Sequence, residues 1–200
     1  MKLTQHVFRQ AITLLELQAG DRILELGCGD GWACRMLAER IAEGLVIGLD
    51  PSDDQIRDAR MKSTAFENIL YLWSAAEQIP WQEDFFTGVL CVDSLHQFQD
   101  VEKALREAYR VLAPAGTLWI VNQRLELAAV GTIPSDLPSN RPAGAGPLDS
   151  EQCLALLRAA GFDDVASHSV PDSIAPSRTS FDEPASPAGA LLLSARKPPK

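Results

Sequence analysis

Short apolar segments alternate with helical patterns along almost the whole chain, and no other feature narrows the possible folds so much. "RILEL" (22–26) is a short strand pattern, and "LVIGLD" (45–50) is apolar on both faces, as a central parallel strand is. "NILYLW" (68–73), "TGVLCVD" (87–93), "GTLWIVN" (116–122), "GFDDVASHSV" (161–170) and "GALLLSAR" (189–196) carry the series to seven. Between them, helices are expected at 4–17, 31–42, 53–63, 100–112 and 150–160, the last capped by Asp149 or Ser150. Strand and helix in such lengths predict an α/β fold, a doubly wound seven-stranded sheet that is parallel and covered on both faces. Two hundred residues suit one domain, 1–200. Two Pro-, Gly- and Ser-rich segments, 123–148 and 171–188, break the rhythm. The first reads equally as a lid or a linker, and the second as a disordered loop.

Charge and cysteine content exclude several functions. The formal net charge is −9 with scattered basic residues, so a nucleic-acid partner is not expected. No apolar run approaches the ~20 residues that span a bilayer. The N-terminus lacks the apolar core of a signal peptide, so a cytoplasmic location with no membrane partner is the default. Cys28, Cys34, Cys91 and Cys153 form no CxxC pair and have no His at ligand spacing. No metal site is expected, and the thiols should be reduced and largely buried.

The turn after the first strand carries Gly27, Gly29 and Gly31 in "ILELGCGDGW". Glycine permits positive φ and leaves no Cβ between main chain and ligand, so close contact through backbone is implied. A dinucleotide fingerprint would need a third glycine at position 32, where Trp32 stands, and a nicotinamide oxidoreductase is disfavoured. Asp50 closes the second strand about 20 residues on, where a carboxylate can accept hydrogen bonds from both ribose hydroxyls. The alternative for Asp50 is a plain strand-ending Asp-Pro turn.

"ILELGCGDG" resembles the first motif of class I S-adenosylmethionine-dependent methyltransferases of the type 11 kind. "SAAEQIPWQEDFF" (74–86) is similar to that family's "DAExLPF" stretch, which lies against the adenine. "ALREAYRVLAPAGTLWI" (104–120) is similar to its "LREIxRVLKPGGxLxI", and "LLLSARKP" to its last strand. The resemblance covers 20–196 apart from the two irregular segments. It implies a Rossmann-like methyltransferase fold with an antiparallel last strand, and S-adenosylmethionine as cofactor. It places Glu25, Gly27, Cys28, Gly29, Asp50, Pro51, Ala76, Glu77 and Cys91 at the cofactor. Glu25 would hold the ammonium end, directly or through water, unless it is only a strand residue at a solvent-facing rim. The sequence departs from the pattern at Ala75, where relatives carry an adenine-binding Asp, at Thr87 for Asp, and at Ala115 for Gly. The Ala75 departure leaves the adenine amino group to Glu77 or a backbone group.

Methyl transfer from a sulfonium asks the protein to position a nucleophile and exclude water, with a base only where the acceptor loses a proton. His96, just after the fourth strand, is the candidate base, and Asp93 the second candidate; the alternative for His96 is a loop histidine bonded to backbone. His6 and His168 read as surface residues. Trp32 and Trp81 wall the acceptor site or pack in the core. The expected reaction is methylation of a small molecule, at oxygen first. The rival is an S-adenosylmethionine-binding protein without turnover, acting as partner or sensor. Oligomeric state is not legible.

Overall fold

The computed structural model describes residues 3–122, 150–171 and 189–200. The expectations for 123–148 and for most of 171–188 lie outside these residues. Seven strands form one sheet: β1 Arg22–Leu26, β2 Leu45–Asp50, β3 Ile69–Trp73, β4 Phe86–Val92, β5 Leu112–Asn122, β6 Asp163–Pro171 and β7 Gly189–Arg196. Their order is β3-β2-β1-β4-β5-β7-β6. Pairings from β3 to β5 are parallel, and β7 runs antiparallel to both neighbours. The expected topology, with its antiparallel last strand, is the one observed. Strand order reverses between β1 and β4, so the crevice at their carboxyl ends is where such a sheet takes a ligand.

Helices α1 (Leu3–Ala11), α2 (Trp32–Ala38), α3 (Asp53–Lys62), α4 (Val101–Val111) and α5 (Ser150–Ala159) cover the sheet. Phe8, Leu37 and Ile56 from the first three pack with Ile23, Val46 and Leu90 on one face. Leu105, Ala108 and Leu157 from α4 and α5 pack with Leu24, Ile47 and Val89 on the other. These helices thus turn apolar side chains onto the sheet. Side-chain caps begin two of them: Ser52 Oγ accepts from Gln55 N at 3.3 Å and Asp100 Oδ1 from Lys103 N at 2.9 Å.

Local boundaries differ from expectation. The first helix ends at Ala11 and passes into a 3-10 turn, Ile12–Leu14, before Glu16 turns left-handed at φ 50°. Thr13 Oγ1 takes Gln10 O at 2.7 Å, a local bond of the kind that competes with helix continuation. The fifth strand starts at Leu112, not Gly116, and takes Pro114-Ala115-Gly116 inside it as an irregularity in its pairing with β4, with Ala115 at φ 63°. The β3–β4 connection, 74–85, contains no helix, turns at 76–77 and again at 83–84, and lies as a strap against the α4 face.

Two side chains fasten the sheet's far end. Lys197, 9 % exposed, donates to Asp84 Oδ1 at 2.6 Å, Tyr109 O at 2.9 Å and Leu112 O at 2.7 Å. Thr87 Oγ1 donates to Asp21 Oδ1 at 2.8 Å and accepts from Arg22 N at 3.0 Å. All four cysteines are buried, and none is in a disulfide. Among the described residues, no helix is long and apolar enough to cross a membrane.

Candidate functional site

β1 delivers the chain into the glycine turn at the point of strand-order reversal. Gly27, Gly29 and Gly31 have φ of 71°, 53° and 77°, a region that residues with a Cβ enter only at a cost. Two of them also have no room for a Cβ. One built on Gly27 would stand 2.6 Å from Ser94 Cβ, and one on Gly31 would stand 2.2 Å from the Tyr71 hydroxyl. Gly29 differs: only Gln55 Oε1, at 3.6 Å, lies within contact of its open side. Its backbone is therefore the part of the turn that a ligand can approach.

Asp50 closes on that glycine. Its Oδ2 accepts from Gly29 N at 2.9 Å and its Oδ1 from Ser52 N at 2.9 Å. The turn is further pinned by Gly27 N and Cys28 N, which donate to Leu49 O at 2.8 and 3.0 Å. Turn and carboxylate thus form one unit, with both carboxylate oxygens oriented by main-chain donors. Pro51 follows, exposed, and its carbonyl accepts from Trp73 Nε1 at 2.8 Å.

Glu25 is not the solvent-facing rim residue of the alternative reading. It is 2 % exposed, beneath the turn, and its Oε2 takes the Cys34 thiol at 2.8 Å. A strand residue one position off the turn alternates inward, and α2 covers it. Burial pushes the carboxyl up to about 8; the Cys34 bond opposes that rise and the nearby Asp50 charge adds to it. Gly48 on β2 makes space for this layer, since a Cβ there would meet Cys28 Sγ, Cys34 Sγ and Tyr71 at 2.8 Å each. Cys28 therefore gives the site backbone and keeps its thiol in the core.

On the β4 side, Ser94 is the residue that sequence reasoning missed. It is 4 % exposed, donates to Leu26 O at 2.7 Å and lies against the bare side of Gly27. Nothing in its sequence context distinguishes it; only the lack of room at Gly27 reveals what it does. Cys91, 1 % exposed, stands behind it with Sγ 3.1 Å from the Ser94 hydroxyl, so its side chain supports Ser94 and does not face the crevice. Asp93 is half-buried at φ 49°, its N–H on Val121 O at 2.8 Å. His96 is half-buried in a short 3-10 turn, Leu95–Gln97. Both follow β4 directly, on the crevice side of the sheet.

Ala76 is buried at 3 %. Glu77 is held by backbone donors: its Oε1 accepts from Gln99 N at 2.7 Å and Asp100 N at 3.1 Å. Trp32 packs edge-on against Phe8 at 5.3 Å, and Trp81 packs with Phe85 and Phe86 at 5.3 and 5.7 Å. Both indoles are half-buried and pack on neighbouring rings. His168 is exposed on β6, and His6 lies on α1 with Nε2 3.5 Å from Gln10 Nε2. A cavity of about 760 Å³ opens at the opposite end of the sheet, between Glu16, Thr87, Trp119 and Arg196. The strand ends that line it are the ones remote from the turn, so it is separate from this site.

The geometry can hold an adenosyl group through backbone and one carboxylate. Residues 24–120 match the family described as "Methyltransferase domain". Over 177 residues the chain is 31 % identical to the 27-O-demethylrifamycin SV methyltransferase of Amycolatopsis mediterranei (strain S699), covering 85 % of this chain and 64 % of that protein. It is 30 % identical over 120 residues to the Bacillus subtilis (strain 168) protein named as methyltransferase YrhH, covering 60 % and 67 %. The fold is that of a crystallised SAM-dependent methyltransferase from Aquifex aeolicus, with a TM-score of 0.70, 16 % identity and 98 % of each chain covered. The chain spans about half to two thirds of the length of the curated relatives it matches.

Proposed function

Because the chain belongs to the class I S-adenosylmethionine-dependent methyltransferase family, we propose that it transfers a methyl group from S-adenosylmethionine to a small-molecule acceptor, at oxygen. The observation that carries this reading is the bond from Gly29 N to Asp50 Oδ2 at 2.9 Å beside the open face of Gly29. S-adenosylmethionine, when bound, supplies a methyl group already activated on a sulfonium.

The residues present fit that group. Gly29 offers a main-chain surface with no side chain closer than 3.6 Å to its open side, and Asp50 offers a carboxylate for the two ribose hydroxyls. Glu25 backs the turn from beneath. His96 takes the proton from an acceptor hydroxyl, with Asp93 as the second group able to do so. Ser94 keeps the loop carrying both residues against the turn, so acceptor and cofactor sides are held at a fixed separation. The choice of oxygen draws on the rifamycin relative's name and on His96; a small acceptor draws on the same relative.

The test is calorimetry with S-adenosylmethionine and S-adenosylhomocysteine, followed by a methyl-release assay over phenols, alcohols, amines and activated carbon acids. Binding of both with turnover on a hydroxyl acceptor, reduced in His96→Ala without loss of cofactor affinity, is the expected result. Tight binding without turnover on any acceptor would favour a cofactor-binding partner protein instead.

A further inference from the structure

Residues 74–85 form an irregular strap, and charged side chains hold it at three places. Glu107 Oε2 accepts from Ile79 N at 2.9 Å. Arg110 donates to Ile79 O at 2.9 Å and to Trp81 O at 2.8 Å. These two bind the strap to the body of α4. Glu77 does something different. Its carboxylate reaches past the helix to Gln99 N and Asp100 N, where the loop that begins at Ser94 and contains His96 ends. The strap itself starts at the cofactor side, with Ser74 N on Asp50 O at 3.1 Å.

Two residues of strap, Ala75 and Ala76, therefore separate the residue bonded to Asp50 from the residue bonded to the His96 loop. We propose that Glu77 is a positioning residue that links occupancy of the cofactor site to the ordering of residues 94–100, and so to the placement of His96. The inference rests on S-adenosylmethionine binding at Asp50, as argued above. A ligand that immobilises the start of the strap restricts Glu77, and a carboxylate held on two N–H donors restricts their segment in turn. A carboxylate at this place also suits the positive end of α4. That electrostatic role alone would stabilise the loop equally with and without ligand, which separates the two roles experimentally.

The experiment is hydrogen–deuterium exchange of the full chain, with and without saturating S-adenosylhomocysteine, on the parent, Glu77→Ala and Glu77→Gln. In the parent, ligand slows exchange both at 74–81 and at 94–100. In Glu77→Ala, affinity by calorimetry stays within about threefold of the parent. Residues 74–81 are still protected by ligand, and 94–100 are not. Glu77→Gln restores part of the protection, since its amide oxygen still accepts. Ligand-dependent protection of 94–100 that persists unchanged in Glu77→Ala overturns the proposal. A loss of affinity beyond about tenfold overturns it as well, because Glu77 would then be a cofactor contact. Should Glu77→Ala fail to fold, Gln99→Pro removes one donor from the other side; Phe98 at ψ 137° already has the backbone that precedes proline. It should at least halve the ligand-dependent protection of 94–98, and full protection would refute the link. Absence of S-adenosylhomocysteine binding to the parent sinks the functional reading itself, an outcome distinct from all of these.

Discussion

Glutamine in place of Glu25 should make the protein more stable at alkaline pH, although it removes a charged group from the family's first motif. Glu25 is 2 % exposed, and burial pushes its carboxyl from 4.5 up to about 8. The folded state therefore holds a proton that the unfolded state has released throughout that interval. Stability from this group is fully present below about 4.5, falls as pH rises, and levels off above about 8. At about 1.36 kcal/mol per unit, the parent should lose roughly 3–4 kcal/mol through Glu25 between pH 5 and pH 8. Glutamine has the shape of the protonated acid and does not titrate, so Glu25→Gln should not share that loss. Urea unfolding of both proteins at pH 5, 6, 7 and 8 gives the difference directly, and the titration of every other group cancels in it. The expected difference is under about 1 kcal/mol at pH 5 and grows in favour of the variant to several kcal/mol at pH 8. A difference that does not vary with pH, or one that moves in favour of the parent, would refute the reasoning. The carboxylate would then be ionised and well held.

Two substitutions test the frame around the site. Ala115→Gly relieves a left-handed residue at φ 63°; the gain outweighs the unfolded-state entropy that glycine adds, for a net stabilisation of about 0.5 kcal/mol by urea unfolding. A measurable loss there would mean that the Ala115 conformation carries no strain. Lys197→Met keeps length but leaves Tyr109 O and Leu112 O without their charged donor. It should cost about 3 kcal/mol, or a Tm lower by roughly 6–12 °C; a change under about 2 °C would show that the ammonium is dispensable.

The sheet was legible because its central strands are short and apolar, and because helical periodicity separates them. Gly27, Gly29 and Asp50 were legible for a different reason: few side chains can do what a bare turn and a strand-ending carboxylate do. Residues whose part depends on a distant partner were not. Lys197 sits in "RKPPK" and looks like a solvated basic tail until β7 carries it to Asp84 and the end of α4. Glu107 and Arg110 look like an exposed i,i+3 pair on a helix, yet both also bind the backbone of a strap that comes earlier in the chain. Glu25 shows the limit of motif reading. The residue type matches the family, while the depth of burial that sets its charge comes from α2 and Cys34.

The central claim is that the glycine turn and Asp50 act together on an adenosyl ligand. Calorimetric titration of S-adenosylhomocysteine into Asp50→Ala beside the parent tests it most directly. The account predicts binding to the parent, and affinity in the variant weaker by about 1–3 kcal/mol, the loss of a charged hydrogen-bond partner. Equal affinity in the two proteins would contradict it.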